Sequence, residues 1–107
     1  MSELTYAGKT FVLRVDNGAV FRNAYATDGT TLHYQTLEGP TKGAEETVTL
    51  HTAEVAPGRF MLGWAEKAGM TITHLKNLNA KTVHAFWTYG RGEGRVAELH
   101  TGTVEPT

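Results

Sequence analysis

Residues 59–69 read RFMLGWAEKAG, and their alternation decides the fold. Phe60, Leu62, Trp64 and Glu66 occupy every second position, so in a strand they share one face, and a carboxylate ends a row of three large apolar side chains. The Lys67-Ala68-Gly69 that follows is a turn signal, and alternation resumes beyond it. Folded across that turn, Glu66 meets Met70, Trp64 meets Ile72 and Leu62 meets His74. Across the next turn Ile72 meets Trp87 and His74 meets Ala85.

Further out, glycine-containing breaks stand at DNG (16–18), TDGT (27–30), EGPTKG (38–43), APG (56–58) and YGRGEG (89–94), with LNAK (78–81) as one more polar break. The segments between them are short and rich in Val, Thr, Phe, Tyr and Trp, which is an all-β pattern. Eight strands are predicted, at 9–15, 19–26, 31–37, 45–55, 59–66, 70–76, 82–88 and 95–104. At most a short helical turn near Ser2 to Ala7 is allowed.

The first hairpins agree with the later ones. A loop at Asp16-Asn17-Gly18 with Gly18 left-handed pairs Leu13 with Phe21 and Phe11 with Asn23. A turn at Asp28-Gly29 pairs Tyr25 with Leu32 and Asn23 with Tyr34. One face of the sheet then carries Phe11, Leu13, Val15, Phe21, Tyr25, Leu32, Tyr34, Phe60, Leu62, Trp64, Met70, Ile72, Val83 and Trp87. Asn23, Glu66 and His74 are the polar residues on it. The facing of 45–55 and 95–104 is not fixed by their patterns.

A sheet with one bulky apolar face can close on itself, losing its edges and enclosing side chains or one small ligand. The expected fold is therefore a small antiparallel up-and-down barrel of about eight strands, a single domain over residues 1–107; a sandwich would need two apolar faces. The composition fits one modest core, with 107 residues of which 40% are hydrophobic. Ten Lys and Arg against eleven Asp and Glu give a formal charge of −1, which indicates no nucleic-acid or anionic-membrane surface. No run approaches the roughly 20 apolar residues of a membrane span. The chain has no cysteine, which excludes thiolate chemistry and fits a cytoplasmic location.

The polar residues on the apolar face are the candidate catalytic groups. Glu66 reads either as the solvated end of a strand, paired with water or Lys67, or as an acid aimed into an apolar cavity, where its pKa would rise. His74 reads either as a core histidine satisfied by a backbone carbonyl or Tyr34, or as a base or hydrogen-bond donor within the barrel. Asn23 and Tyr34 are expected to face each other as a hydrogen-bonded pair or to read a ligand's polar group. Leu13, Phe21, Tyr25, Leu62, Trp64, Ile72 and Trp87 are either core or an aromatic and apolar wall for a ligand. Of the five histidines, His84 and His33 point away from the face of His74 and the facing of His51 and His100 is not fixed, so no converging set of three is defined and no metal and no cofactor is expected. YGRGEGR (89–95) is a glycine-rich turn without the lysine or helix of a phosphate loop.

Four stretches, GKTFVLRVDNG (8–18), TLHYQTLEGPTKG (31–43), APGRFMLGWAEKAG (56–69) and THLKNLNAKTVHAFW (73–87), resemble the MoaF-like proteins and their relatives the phenolic acid decarboxylases. The resemblance implies a calycin-type, lipocalin-like barrel and, from the decarboxylases, a homodimer. Those enzymes convert p-hydroxycinnamic acids to vinylphenols without a cofactor, and the glutamate of their W-x-E element matches Glu66. Their two carboxylate-holding tyrosines match Leu13 and Val15 here, and their arginine matches Ala44. The MoaF-like branch is the better match, and decarboxylation of phenolic acids is not expected.

Two function classes follow. One is a barrel that binds a small apolar or aromatic molecule; the other is a cofactor-free lyase or isomerase using Glu66 as acid and base. A third reading fills the barrel with its own side chains.

Overall fold

The computed structural model describes residues 5–107. Nine strands form one antiparallel sheet: β1 (Thr10–Val15), β2 (Val20–Tyr25), β3 (Thr31–Glu38), β4 (Glu45–Thr49), β5 (His51–Ala56), β6 (Arg59–Ala65), β7 (Thr71–Asn77), β8 (Thr82–Arg91) and β9 (Gly94–Pro106). Their order is β4-β3-β2-β1-β9-β8-β7-β6-β5, so the first and last strands pair in the middle. The two edges, β4 and β5, are successive in the chain and separated only by Leu50. The sheet curls until β4 lies against β6, which gives a nearly closed barrel.

The registers are those that the alternation dictates. Leu13 pairs with Phe21, Asn23 with Tyr34, Trp64 with Ile72, and Ile72 with Trp87. Gly18 adopts the left-handed conformation (φ 89°) that its loop requires, and Val15 and Ala19 hydrogen-bond across it.

The strand count departs from expectation at one place. The predicted strand 45–55 breaks at Leu50, which is buried and donates its N–H to Thr30. β5 then pairs with β6 alone and leaves most of its residues exposed. With two wet faces β5 has no alternation to read. The helical turn allowed near Ser2 to Ala7 falls partly outside the described residues, and Thr5–Gly8 form a turn instead. From that turn Tyr6 enters the barrel end, wholly buried, and its hydroxyl donates to the Gly29 carbonyl at 3.0 Å.

The interior is divided. At the Tyr6 end Phe11, Tyr25, Leu32, Phe60, Leu62, Val83 and Val104 fill the barrel, with Tyr6 edge-on to both Tyr25 and Phe60. Wholly buried Phe60 and Leu62 each contribute about 2–3 kcal/mol relative to exposure. The packing thins toward the opposite end, where the β1–β2, β3–β4 and β6–β7 turns surround an opening. Among the described residues no helix is long and apolar enough to cross a membrane.

Candidate functional site

The hollow half of the barrel is a cavity of about 520 Å³. Phe21 on β2, Tyr34 on β3, Trp64 on β6, Ile72 on β7 and Trp87 on β8 form its walls, and Asn23 and His74, deepest on their strands, form its floor. Glu66 stands at the mouth, one residue past β6. Leu13, level with Phe21 on the β1–β2 ladder, is packed in the core and does not line the cavity, and Tyr25 and Leu62, the other candidate ligand contacts, lie in the packed half. The reason is depth. Tyr25 is two residues beyond Asn23, and Leu62 two before Trp64, each a step nearer the plugged end.

Glu66 accepts a hydrogen bond from Trp64 Nε1 at 3.0 Å. Lys67 does not cover it; instead, the Lys67 backbone N–H donates to Glu46 at 3.1 Å. Burial raises the Glu66 pKa, the hydrogen bonds from Trp64 and Tyr34 act against that, and the Glu46 charge adds to the rise. The carboxyl is thus poised to hold a proton longer than an exposed glutamate.

Tyr34 does not spend its hydroxyl on Asn23, as the register suggested, but donates it to Glu46 at 3.2 Å. Burial and the charges of Glu66 and Glu46 push the phenol's pKa well above its ordinary value, so it stays a donor.

His74 is 6% exposed and packs edge-on against Trp64 with ring centroids 4.8 Å apart. Its Nδ1 has no hydrogen-bond partner, neither Tyr34 nor a backbone carbonyl. Burial lowers its pKa to about 4, so the imidazole is neutral at physiological pH.

A second polar group, absent from the sequence reading, sits beside the Trp87 wall. Glu98 lines the cavity and accepts the Tyr89 hydroxyl, while its other oxygen lies 2.7 Å from His100 Nε2. His100 Nδ1 lies 2.6 Å from Asp16, and its ring stacks on Trp87 at 4.2 Å. Burial works against the His100 charge, but Glu98 and Asp16 outweigh it and raise its pKa. The Tyr89 and His100 hydrogen bonds hold Glu98 below the usual carboxylate range. The signal that could have found this group was parity with Val104, and Leu99 obscured it by facing outward at 66% exposure.

Below the floor lies Lys76, wholly buried two residues past His74. Among the described residues its Nζ has no hydrogen-bond partner, and it sits 4.3 Å from the Tyr25 ring centroid and 5.6 Å from that of Phe11. Among the described residues no group of three or more His, Cys, Asp or Glu side chains is arranged to hold a metal ion.

An antiparallel barrel packed at one end and hollow at the other has the form of a calycin-like barrel. This chain belongs to the MoaF-like family, whose model matches residues 7–104. It is also similar to the crystal structure of a protein from Burkholderia vietnamiensis described as a "putative beta-lactamase", with TM-score 0.88, 27% identity and 100% of both chains covered. No curated protein matches the chain.

Proposed function

We propose that this protein binds a small aromatic or apolar molecule in the hollow half of its barrel, with Glu66 as the acid that meets the ligand's polar group. The observation that carries this is the cavity itself, about 520 Å³ walled by Phe21, Tyr34, Trp64 and Trp87. Side chains that could have filled it leave it open, so the reading of a self-filled barrel loses its support. Titration with flat aromatic probes should quench Trp64 and Trp87 fluorescence saturably. Glu66→Gln should weaken binding of basic probes whose polar group needs the titratable carboxyl. It should also stabilise the fold at alkaline pH, because a raised folded-state pKa means stability is lost as pH climbs from the unfolded value through the folded one. Absence of saturable quenching with every probe would end the binding reading.

The second reading is a cofactor-free lyase or isomerase, supported by the partly desolvated Glu66 at the cavity mouth. Its substrate is not a p-hydroxycinnamic acid. Leu13 and Val15 are buried apolar side chains that do not line the cavity and offer no hydrogen bond, and Ala44, at the position of the decarboxylase arginine, lines the mouth without a charge. Incubation with such acids should release no vinylphenol above background; turnover would mean that other residues hold the carboxylate.

β-Lactam hydrolysis is not carried over from the structural relative. A serine route needs a Ser-x-x-Lys arrangement, and the only serine here, Ser2, is followed by Thr5 at the lysine position.

We also infer a cytoplasmic homodimer. The dimer is supported by an apolar stripe on the outer wall, where Met61 pairs with Leu75 and Phe86 with Leu99, all four exposed. Light scattering should give twice the 11.7 kDa chain mass, and Phe86→Ser with Leu99→Ser should halve it. A monomeric parent protein would overturn the dimer.

A further inference from the structure

We propose that the cavity selects an organic cation, a flat aromatic body carrying an ammonium group. This rests on the ligand-binding reading above and adds the charge of the ligand. Four glutamates line the cavity against the single ammonium of Lys67; the carboxylates of Glu46, Glu66 and Glu98 face it, while that of Glu45, at the rim, is held by His33 and Gln35. His100 and Arg91 lie outside the lining and act on Glu98 from behind. An anionic ligand would therefore meet like charge at the mouth with no guanidinium or imidazolium inside to receive it.

The walls agree with the rim. Indole and phenol faces attract cations through their quadrupoles, and the attraction grows where water is excluded. Trp64, Trp87 and Tyr34 present such rings within reach of the mouth. Glu98, tied by Tyr89 and His100, is the ionised partner at neutral pH, whereas burial keeps Glu66 closer to its neutral form.

An independent feature marks the cavity as a place for a ligand. His74, buried and neutral at the floor, has an Nδ1 without a partner among the described residues, and an orphaned buried nitrogen is costly until something bonds it. A neutral floor under an acidic rim orients the ligand. The cation stays at the mouth and the aromatic body points inward, where a polar substituent at its far end would meet His74 Nδ1.

Three probes of one shape test this by calorimetry: 1-naphthylmethylamine, 1-naphthylmethanol and 1-naphthoate. The amine should bind at least about ten-fold tighter than the alcohol, the carboxylate should bind weakest, and added salt should narrow the gap. Glu98→Gln should remove most of the preference for the amine over the alcohol, with a thermal melt reporting that the variant is folded. Equal affinity for amine and alcohol would overturn the cation inference and leave the aromatic cavity standing. A carboxylate that binds tightest would overturn it as well. Failure of all three to bind would remove the ligand-binding reading and this inference together.

Discussion

Lys76→Met should make the protein more stable at pH 7, by about 3 kcal/mol, and the gain should vanish toward pH 11. Burial lowers the Lys76 pKa from 10.5 to about 7, with no carboxylate or hydrogen-bond acceptor among the described residues to oppose it. Above both values neither state is protonated and the lysine carries no electrostatic cost. As pH falls below 10.5 the unfolded chain takes up a proton that the folded chain refuses, so stability declines until about pH 7 and stays low beneath it. That interval sets a ceiling of about 5 kcal/mol, at about 1.4 kcal/mol per pH unit. The Tyr25 and Phe11 faces give back about 2 kcal/mol of it to the charged form. Methionine matches the unbranched shape and needs no partner. Thermal melts of both proteins between pH 6 and 11 measure the effect. A difference that does not change with pH would mean that Lys76 is charged and compensated in the folded state.

Gly102→Val should act in the opposite direction and prevent or severely weaken folding. Gly102 lies in β9 opposite Val15 on one side and Val83 on the other, at the ladder that joins the first strand to the last. A Cβ at this position would stand 2.3 Å from the Arg14 carbonyl oxygen and 3.2 Å from the Val15 Cα, both backbone atoms that cannot swing aside. Either the β1–β9 ladder separates or its carbonyl tilts out of its hydrogen bond, and overpacking of this kind costs about 1–3 kcal/mol even in side-chain cores. Gly102→Ala already carries that Cβ and should lose a large share of the stability in a denaturant melt. An alanine variant that melts with the parent would show that the two strands have room to part.

The fold was legible because the decisive alternations are strong. Phe60, Leu62 and Trp64 on one strand and Ile72 on the next fix parity, and the short loops carry it from hairpin to hairpin. The same parity assigned Glu66, His74, Asn23 and Tyr34 to the inner face, and all four line the cavity. How deep a residue sits was not legible, so Tyr25 and Leu62 were grouped with residues that touch open space, and nothing in the pattern showed that Leu13, level with Phe21, is covered by its neighbours. Lys76 shares His74's parity, yet a lysine at a strand end reads as solvated because charged side chains are seldom buried alone. Glu98 and His100 escaped for a related reason. Their strand turns its largest apolar residue, Leu99, to the outside and puts carboxylate and imidazole within.

A barrel sewn shut by backbone hydrogen bonds has a fixed girth, since widening it breaks a ladder. This one is a C-shaped wrap whose free margins, β4 and β5, follow one another in the chain. Among the described residues, the hydrogen bond from the Lys67 N–H to Glu46 ties β4 to the end of β6. The wall can yield there at the expense of one bond, while the eight paired ladders keep their register. The same Glu46 holds Tyr34, so a guest that spreads the seam also shifts a phenol on the cavity wall. Guest thickness and wall chemistry are thereby coupled through one carboxylate.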